Sequence, residues 1–439
     1  MKEYKSSRYN YIVHANENDI IYNSRTGKMV ANTHSDMIYI DELFRNGVKS
    51  DNNDPRISAL VNDGFLVDAS CNEIELVLQK RKEYLNDNGL FLMILPTEQC
   101  NFRCIYCYET FSRPKMTIDI VAGIKQFVFE NLPRYNKLSV AWFGGEPMLA
   151  MDIIDELSEY FLELCSEQRK PYFSTMTTNG SLLTPENWKK LKKNHITGYQ
   201  ISIDGLAETH DSQRIGADGK GTWDSIISNL RFFRDCVKTR TINIAIRSNI
   251  TKEIYNIKNE YIEFLKNEFG GDKRFHLFFH LAQDWGNIDN DSVRNSFCGA
   301  DEFYGFLEEV STFNLSMKIH ESFMLPGSRI CFAAKKNSFV ITADGAVRKC
   351  SEHIYEDFNY LFDIRQPKYM DYFNQEYWNF ADKKVADECV QCKKLPLCYG
   401  LVCPAYRGKI TDTCGYDLSD MNKVILSLYK TKMLKLEGM

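Results

Sequence analysis

Between about residues 90 and 300 the chain alternates short apolar runs with longer amphipathic ones, and nothing else in it constrains the fold as tightly. LFLMILP, KLSVAWF, YFSTMTT, GYQISI, TINIAIRS and RFHLFFHL each read as a buried strand. Between them, MTIDIVAGIKQFVFENL, MDIIDELSEYFLELCSEQ and TWDSIISNLRFFRDCVK place apolar residues at helical spacing. Such alternation predicts a parallel sheet, because parallel neighbours are reached only through long, usually helical, crossovers. Six units fall short of an eight-fold barrel. The expectation is an α/β fold built on a partial (β/α)6 barrel over residues 90–300.

Residues 1–80 read as a smaller unit. YNYIVHA and DIIYNSRTGKMVANT are extended, the second broken at a Thr-Gly turn. SDMIYIDELFRNG predicts a helix capped by Ser35 and stopped at Gly47, and DPRISALVNDG repeats that logic before the strand FLVDAS. Together they suggest a winged-helix-like domain, followed by the charged helix NEIELVLQKRKEYLND. After about residue 300 the rhythm stops. NSFVITADGAVRKC predicts a hairpin turning at Asp344-Gly345, ahead of a cysteine-dense stretch and a closing helix, so residues 310–439 form a third expected domain.

A net charge of −5 argues against a nucleic-acid partner. No apolar run reaches the roughly 20 residues of a membrane span, and the N-terminus lacks a signal-peptide core, so a reducing cytoplasm is expected. Disulfides are rare there, and the fourteen cysteines need another account. Cys100, Cys104 and Cys107 form one group; Cys331, Cys350, Cys389, Cys392, Cys398, Cys403 and Cys414 form another. Cys71, Cys165, Cys236 and Cys298 read as small buried hydrophobes.

Active sites of β/α arrays lie at the C-terminal ends of the strands. Here the first strand runs into TEQCNFRCIYCYE, the second into GGEP, the third into NG, the fourth into DG and the fifth into SNIT. Three thiolates suit zinc or an iron–sulfur cluster. A structural zinc wants four closed ligands, and no fourth cysteine or histidine is near. A [4Fe–4S] cluster on three thiolates leaves one iron open to substrate; spacing alone leaves a distant fourth ligand open.

Cys100-x3-Cys104-x2-Cys107, with Tyr106 before the last cysteine, resembles the signature of radical S-adenosylmethionine (SAM) enzymes. The resemblance implies a [4Fe–4S] cluster whose open iron chelates SAM. One electron then cleaves SAM to methionine and a 5′-deoxyadenosyl radical that abstracts hydrogen. Gly144, Gly145 and Glu146 of GGEP resemble the element holding the SAM amino group, and Ser202 and Asp204 of SIDG resemble the ribose-contacting region. Asn179, Arg214 and Asn249 are further polar candidates, with loop capping or ion pairing as their alternative.

The second cysteine group resembles the SPASM domain, which carries two auxiliary [4Fe–4S] clusters, making three in all. The resemblance assigns Cys331, Cys350 and Cys403 to the first and Cys389, Cys392, Cys398 and Cys414 to the second. The four residues YGLV, where the family has three, loosen the assignment of Cys403. No cysteine occupies ESFMLPGSRI, where some relatives supply a fourth ligand; Cys298, upstream, is the alternative.

The N-terminal unit resembles the element that binds a precursor's leader peptide as an added strand, a structural cap being its alternative. The whole implies a peptide maturase forming a thioether between a cysteine sulfur and a carbon of another residue, served by a flavodoxin- or ferredoxin-type electron donor. The competing reading is an anaerobic sulfatase-maturating enzyme making formylglycine, but the family's catalytic aspartate is replaced by Ser351. A non-enzymatic electron carrier would leave GGEP without a purpose. Glu109, His280 and Asp284 are candidates for the substrate base, with nothing to choose among them.

Overall fold

The structure, a computed structural model, describes residues 2–15, 18–50, 54–282, 284, 290–313, 315, 317–366, 378, 384–401 and 421–437. Cys403 and Cys414 lie outside them. The chain divides into two compact units that cut across the three segments expected from sequence. The first combines residues 1–87, 318–336 and 379–439; the second combines 88–317 and 337–378.

In the first unit, β1 (Lys2–Ser6) pairs with β5 (Val48–Ser50) and β6 (Leu66–Asp68), and β2 (Asn10–His14), β3 (Asp19–Asn23) and β4 (Lys28–Asn32) form an antiparallel meander. The first helix, α1 (His34–Asn46), is capped by Thr33, not Ser35: the Thr33 side chain accepts the Asp36 N–H at 3.2 Å. Gly47 ends it at a φ of 69°, as predicted. Helices α2 (Pro55–Asn62) and α3 (Glu73–Leu85) complete the N-terminal part. Its core is not self-contained. Val13, Ile20 and Tyr22 pack with Met324, Leu397, Ile425 and Leu428, so distant segments bury the meander's second face.

In the second unit all six expected strands form and pair in parallel: β7 (Gly89–Ile94), β9 (Lys137–Trp142), β10 (Tyr172–Thr178), β11 (Ile196–Ser202), β13 (Asn243–Ile250) and β14 (Phe275–Leu281). Crossover helices such as α4 (Ile118–Asn131) and α5 (Met151–Glu167) bury Ile124, Phe127, Ile154, Leu157 and Phe161 in the shared core. The sheet has nine strands. The expected hairpin, β15 (Ser338–Ile341) and β16 (Ala346–Arg348), does form, but it extends this sheet: β15 runs parallel to β7, and β17 (Tyr360–Asp363) closes the edge. Continuing an open edge satisfies backbone groups that an independent hairpin would leave to water.

Candidate active site

The cysteine-bearing loop leaves β7 and forms the short strand β8 (Phe102–Cys104), antiparallel to β12 (Arg214–Gly216), with Arg214 opposite Cys104. The GGEP turn after β9 presses on the same loop. A Cβ on Gly144 would stand 2.4 Å from the Thr97 carbonyl, and one on Gly145 would stand 2.5 Å from the Glu98 and Gln99 carbonyls. Only glycine permits that approach.

These segments enclose a cavity of about 290 Å³ at the strands' C-terminal ends. Of the residues anticipated from sequence, Cys100, Cys104, Tyr106, Cys107, Gly144, Gly145, Asn179, Ser202, Arg214 and Asn249 line it, as do Glu109 and His280. Asp284 does not: it is exposed and pairs with Arg294 at 2.9 Å. Glu146 and Asp204 stand behind the walls. The wholly buried Glu146 carboxylate accepts from Thr178 Oγ1 at 2.9 Å, Asn179 N–H at 2.8 Å and Met148 N–H at 3.1 Å. Burial pushes its pKa up to about 7 against those bonds. Asp204, equally buried, accepts from the Tyr106 hydroxyl and from the Asn249 N–H at 2.7 Å. Arg214 Nη1 donates to the same hydroxyl at 2.6 Å, tying three strand ends together.

Sequence reasoning missed Gln200, Arg247 and Glu352 in the lining. Gln200 and Arg247 carried a signal, being polar residues near the ends of apolar strands, two positions before Ser202 and Asn249. Glu352 carried none; folding brings it from beyond the hairpin. Burial pushes Glu109 up to about 8, with Glu98 and Glu352 adding to it. Glu109 Oε2 has no hydrogen-bond partner among the described residues.

The thiols suit an iron–sulfur group by their local chemistry. Cys100 Sγ accepts the Phe102 N–H at 3.4 Å, Cys350 the Glu352 N–H at 3.4 Å, Cys392 the Lys394 N–H at 3.3 Å and Cys398 the Gly400 N–H at 3.4 Å. Each donor lies two residues downstream. Among the described residues no such bond reaches Cys71, Cys165, Cys236 or Cys298, and Cys298 packs in the hydrophobic core. N–H···S bonds stabilise negative charge on sulfur and tune clusters. Burial, with neighbouring acidic groups and thiols adding to it, pushes Cys100 and Cys107 up to about 12, so a metal must displace their protons. Among the described residues no three Cys, His, Asp or Glu side chains gather as a single ion would require.

The Radical SAM superfamily profile matches residues 94–257, the span that carries the three cysteines and the GGEP turn. Residues 94–257 are a radical SAM domain. The chain is 24% identical over 338 residues to the cysteine-type anaerobic sulfatase-maturating enzyme of Clostridium novyi, covering 71% of this chain and 87% of that one. It is 22% identical over 265 residues to the radical SAM cyclopropyl synthase TigE of Paramaledivibacter caminithermalis, covering 55% and 52%. The solved structure of native anSMEcpe with bound AdoMet and the Cp18Cys peptide superposes with a TM-score of 0.58 at 20% identity, over 80% of this chain and 98% of that chain. That likeness shows the fold: a radical SAM α/β sheet of the partial-barrel kind. No helix among the described residues is long and apolar enough to cross a membrane.

Proposed function

We propose that this enzyme matures a precursor peptide by joining a cysteine sulfur to a carbon of another residue. One observation carries the reading: a single cavity has the cysteines Cys100, Cys104 and Cys107 in its lining together with the ionisable side chains of Glu109, Arg247 and Glu352, groups able to hydrogen-bond a peptide. The three cysteines would hold a [4Fe–4S] cluster, and the backbone at Gly144 and Gly145 would face the SAM amino group. Ser202, Arg214 and Asn249 would meet its remaining polar atoms. Cluster and SAM together supply reductive cleavage to a hydrogen-abstracting radical.

The chain's own residues do the positioning. Glu146 fixes Thr178 and Asn179, and Asp204 fixes Tyr106 and Asn249, so both act through the groups that line the cavity. Glu109 Oε2 offers an unused acceptor for a substrate N–H. In the second cysteine group, Cys389, Cys392, Cys398 and Cys414 would hold one auxiliary cluster. Cys331, Cys350 and Cys403 would hold another with an iron left for the substrate thiolate, whose acidity iron raises. The core position of Cys298 agrees with that open iron. A flavodoxin- or ferredoxin-type protein of the cytoplasm would supply electrons, and residues 1–80 would bind the leader.

Formylglycine formation keeps one observation on its side: a carboxylate, Glu352, lines the cavity two residues after Cys350. Co-expression with short cysteine-containing peptides, followed by tandem mass spectrometry, decides between them. A thioether product is lighter by two hydrogens and its cysteine resists alkylation. A formylglycine product instead carries an aldehyde that reacts with hydrazides. An unchanged peptide beside normal SAM cleavage sinks both.

A further inference from the structure

In the first unit the Tyr9 hydroxyl has no hydrogen-bond partner among the described residues, although the side chain is wholly buried. A buried O–H without an acceptor forfeits the solvation it had in the unfolded chain. Tyrosine hydroxyls in apolar surroundings therefore usually have a partner.

The ring lies beside cysteines of the second group. Tyr9 packs in an apolar cluster with Val77, Leu395, Tyr399 and Leu401, and Cys389 packs against the same cluster. Burial holds the proton on the Tyr9 hydroxyl, and Cys392 is near enough to add to that effect. Three bonds fasten the cysteine segment to the start of the chain. Arg8 Nη2 donates to Val390 O at 3.2 Å, Ser24 Oγ to Lys393 O at 2.5 Å and Lys393 Nζ to Asn10 O at 2.9 Å. Tyr399 has a φ of 51°, a left-handed backbone that a bulky residue seldom adopts. The turn it makes brings the Gly400 N–H to Cys398 Sγ. Backbone donors of the local loop thus serve Cys392 and Cys398, and Tyr9 holds a further donor that no local bond uses.

We infer that the Tyr9 hydroxyl donates a hydrogen bond to a sulfur of the iron–sulfur cluster held by Cys389, Cys392 and Cys398, and so raises that cluster's reduction potential. The inference rests on the auxiliary-cluster part of the proposed function. It adds a residue from the far end of the chain, which no cysteine spacing points to. Hydrogen bonds to cluster sulfurs stabilise the more negative, reduced state, and partners outside the ligand set tune a metal centre in this way.

The test is a redox titration of the full, cluster-loaded chain, followed by electron paramagnetic resonance. Tyr9→Phe removes the donor and keeps the ring, so iron content and melting temperature should match wild type. One cluster should become harder to reduce by about tenfold, roughly 59 mV for one electron, while the others keep their potentials. It should be the cluster lost when Cys389, Cys392 and Cys398 are replaced together by alanine. Unmoved potentials in Tyr9→Phe, a shift in a different cluster or an equal shift in all of them would overturn the inference. The failures are separable. A triple variant that keeps all its iron would remove the auxiliary cluster itself, whereas iron lost there beside unmoved potentials in Tyr9→Phe would remove only the bond from Tyr9.

Discussion

Arg113 Nη1 lies 2.7 Å from Glu98 Oε1, and the Glu98 carboxylate is wholly buried. The pair belongs to a larger set. Arg113 Nε meets Asp344 Oδ2 at 2.7 Å, and the Tyr355 hydroxyl donates to Glu98 Oε2 at 3.1 Å. The loop that carries the three cysteines is thereby fastened to the hairpin turn between β15 and β16. Removing one member of a buried pair strands the other. Arg113→Ala should cost about 3–5 kcal/mol in denaturant unfolding. Combining it with Glu98→Gln should cost less than the sum of the single changes; strict additivity would mean that the two do not act as a pair.

Replacing Cys100, Cys104 and Cys107 together by alanine should remove about four irons per chain. Iron analysis checks the loss, and chromatography of 5′-deoxyadenosine after dithionite reduction should show none. Persisting SAM cleavage would place the radical chemistry elsewhere.

Gly145→Ala tests the press of the GGEP turn on the cysteine loop. Its Cβ would stand 2.5 Å from two backbone carbonyls, which cannot swing aside as a side chain can. Overpacking of this kind costs roughly 1–3 kcal/mol, and the displaced loop should lower SAM cleavage more than the melting temperature alone accounts for. Calorimetry beside the cleavage assay separates the two effects.

His210 gives the chain a pH-dependent term. Burial, reinforced by Arg214, lowers its pKa to about 3; Nδ1 accepts the Asp204 N–H at 3.1 Å, and Nε2 lies 3.2 Å from Thr222 Oγ1. The folded ring stays neutral while the unfolded one takes up a proton below about pH 6.5. Stability from this group is thus complete above that pH and declines by about 1.4 kcal/mol per unit as the pH falls toward 3. Unfolding curves between pH 7 and pH 5 should show the slope, and His210→Gln should flatten it.

Much of the second unit was legible because its signals are short-range. Alternating apolar runs located all six parallel strands, and turn chemistry located the Asp344-Gly345 hairpin. Gly144 and Gly145 were recognisable as a GGEP turn at a strand end, although what forces glycine there is the approach of the Thr97, Glu98 and Gln99 carbonyls from another loop. The helix cap was misjudged by two residues, since Thr33 and Ser35 have equivalent side-chain chemistry and only the entering backbone chooses between them.

By itself the sequence determined the secondary structure of the barrel, the three-cysteine motif and the polar strand ends that converge on one cavity. Each of these depends on a periodicity or spacing within a few residues. Tertiary structure alone decided that the hairpin extends the barrel sheet, and that Met324, Leu397 and Ile425 complete the core beside β2 and β3. It also decided that Glu352 enters the cavity while Asp284 stays in solvent. Those outcomes depend on which distant segments bury one another's faces and satisfy one another's backbone groups. That competition is settled among pairs far apart in the chain, and it leaves no mark in the local pattern of residues.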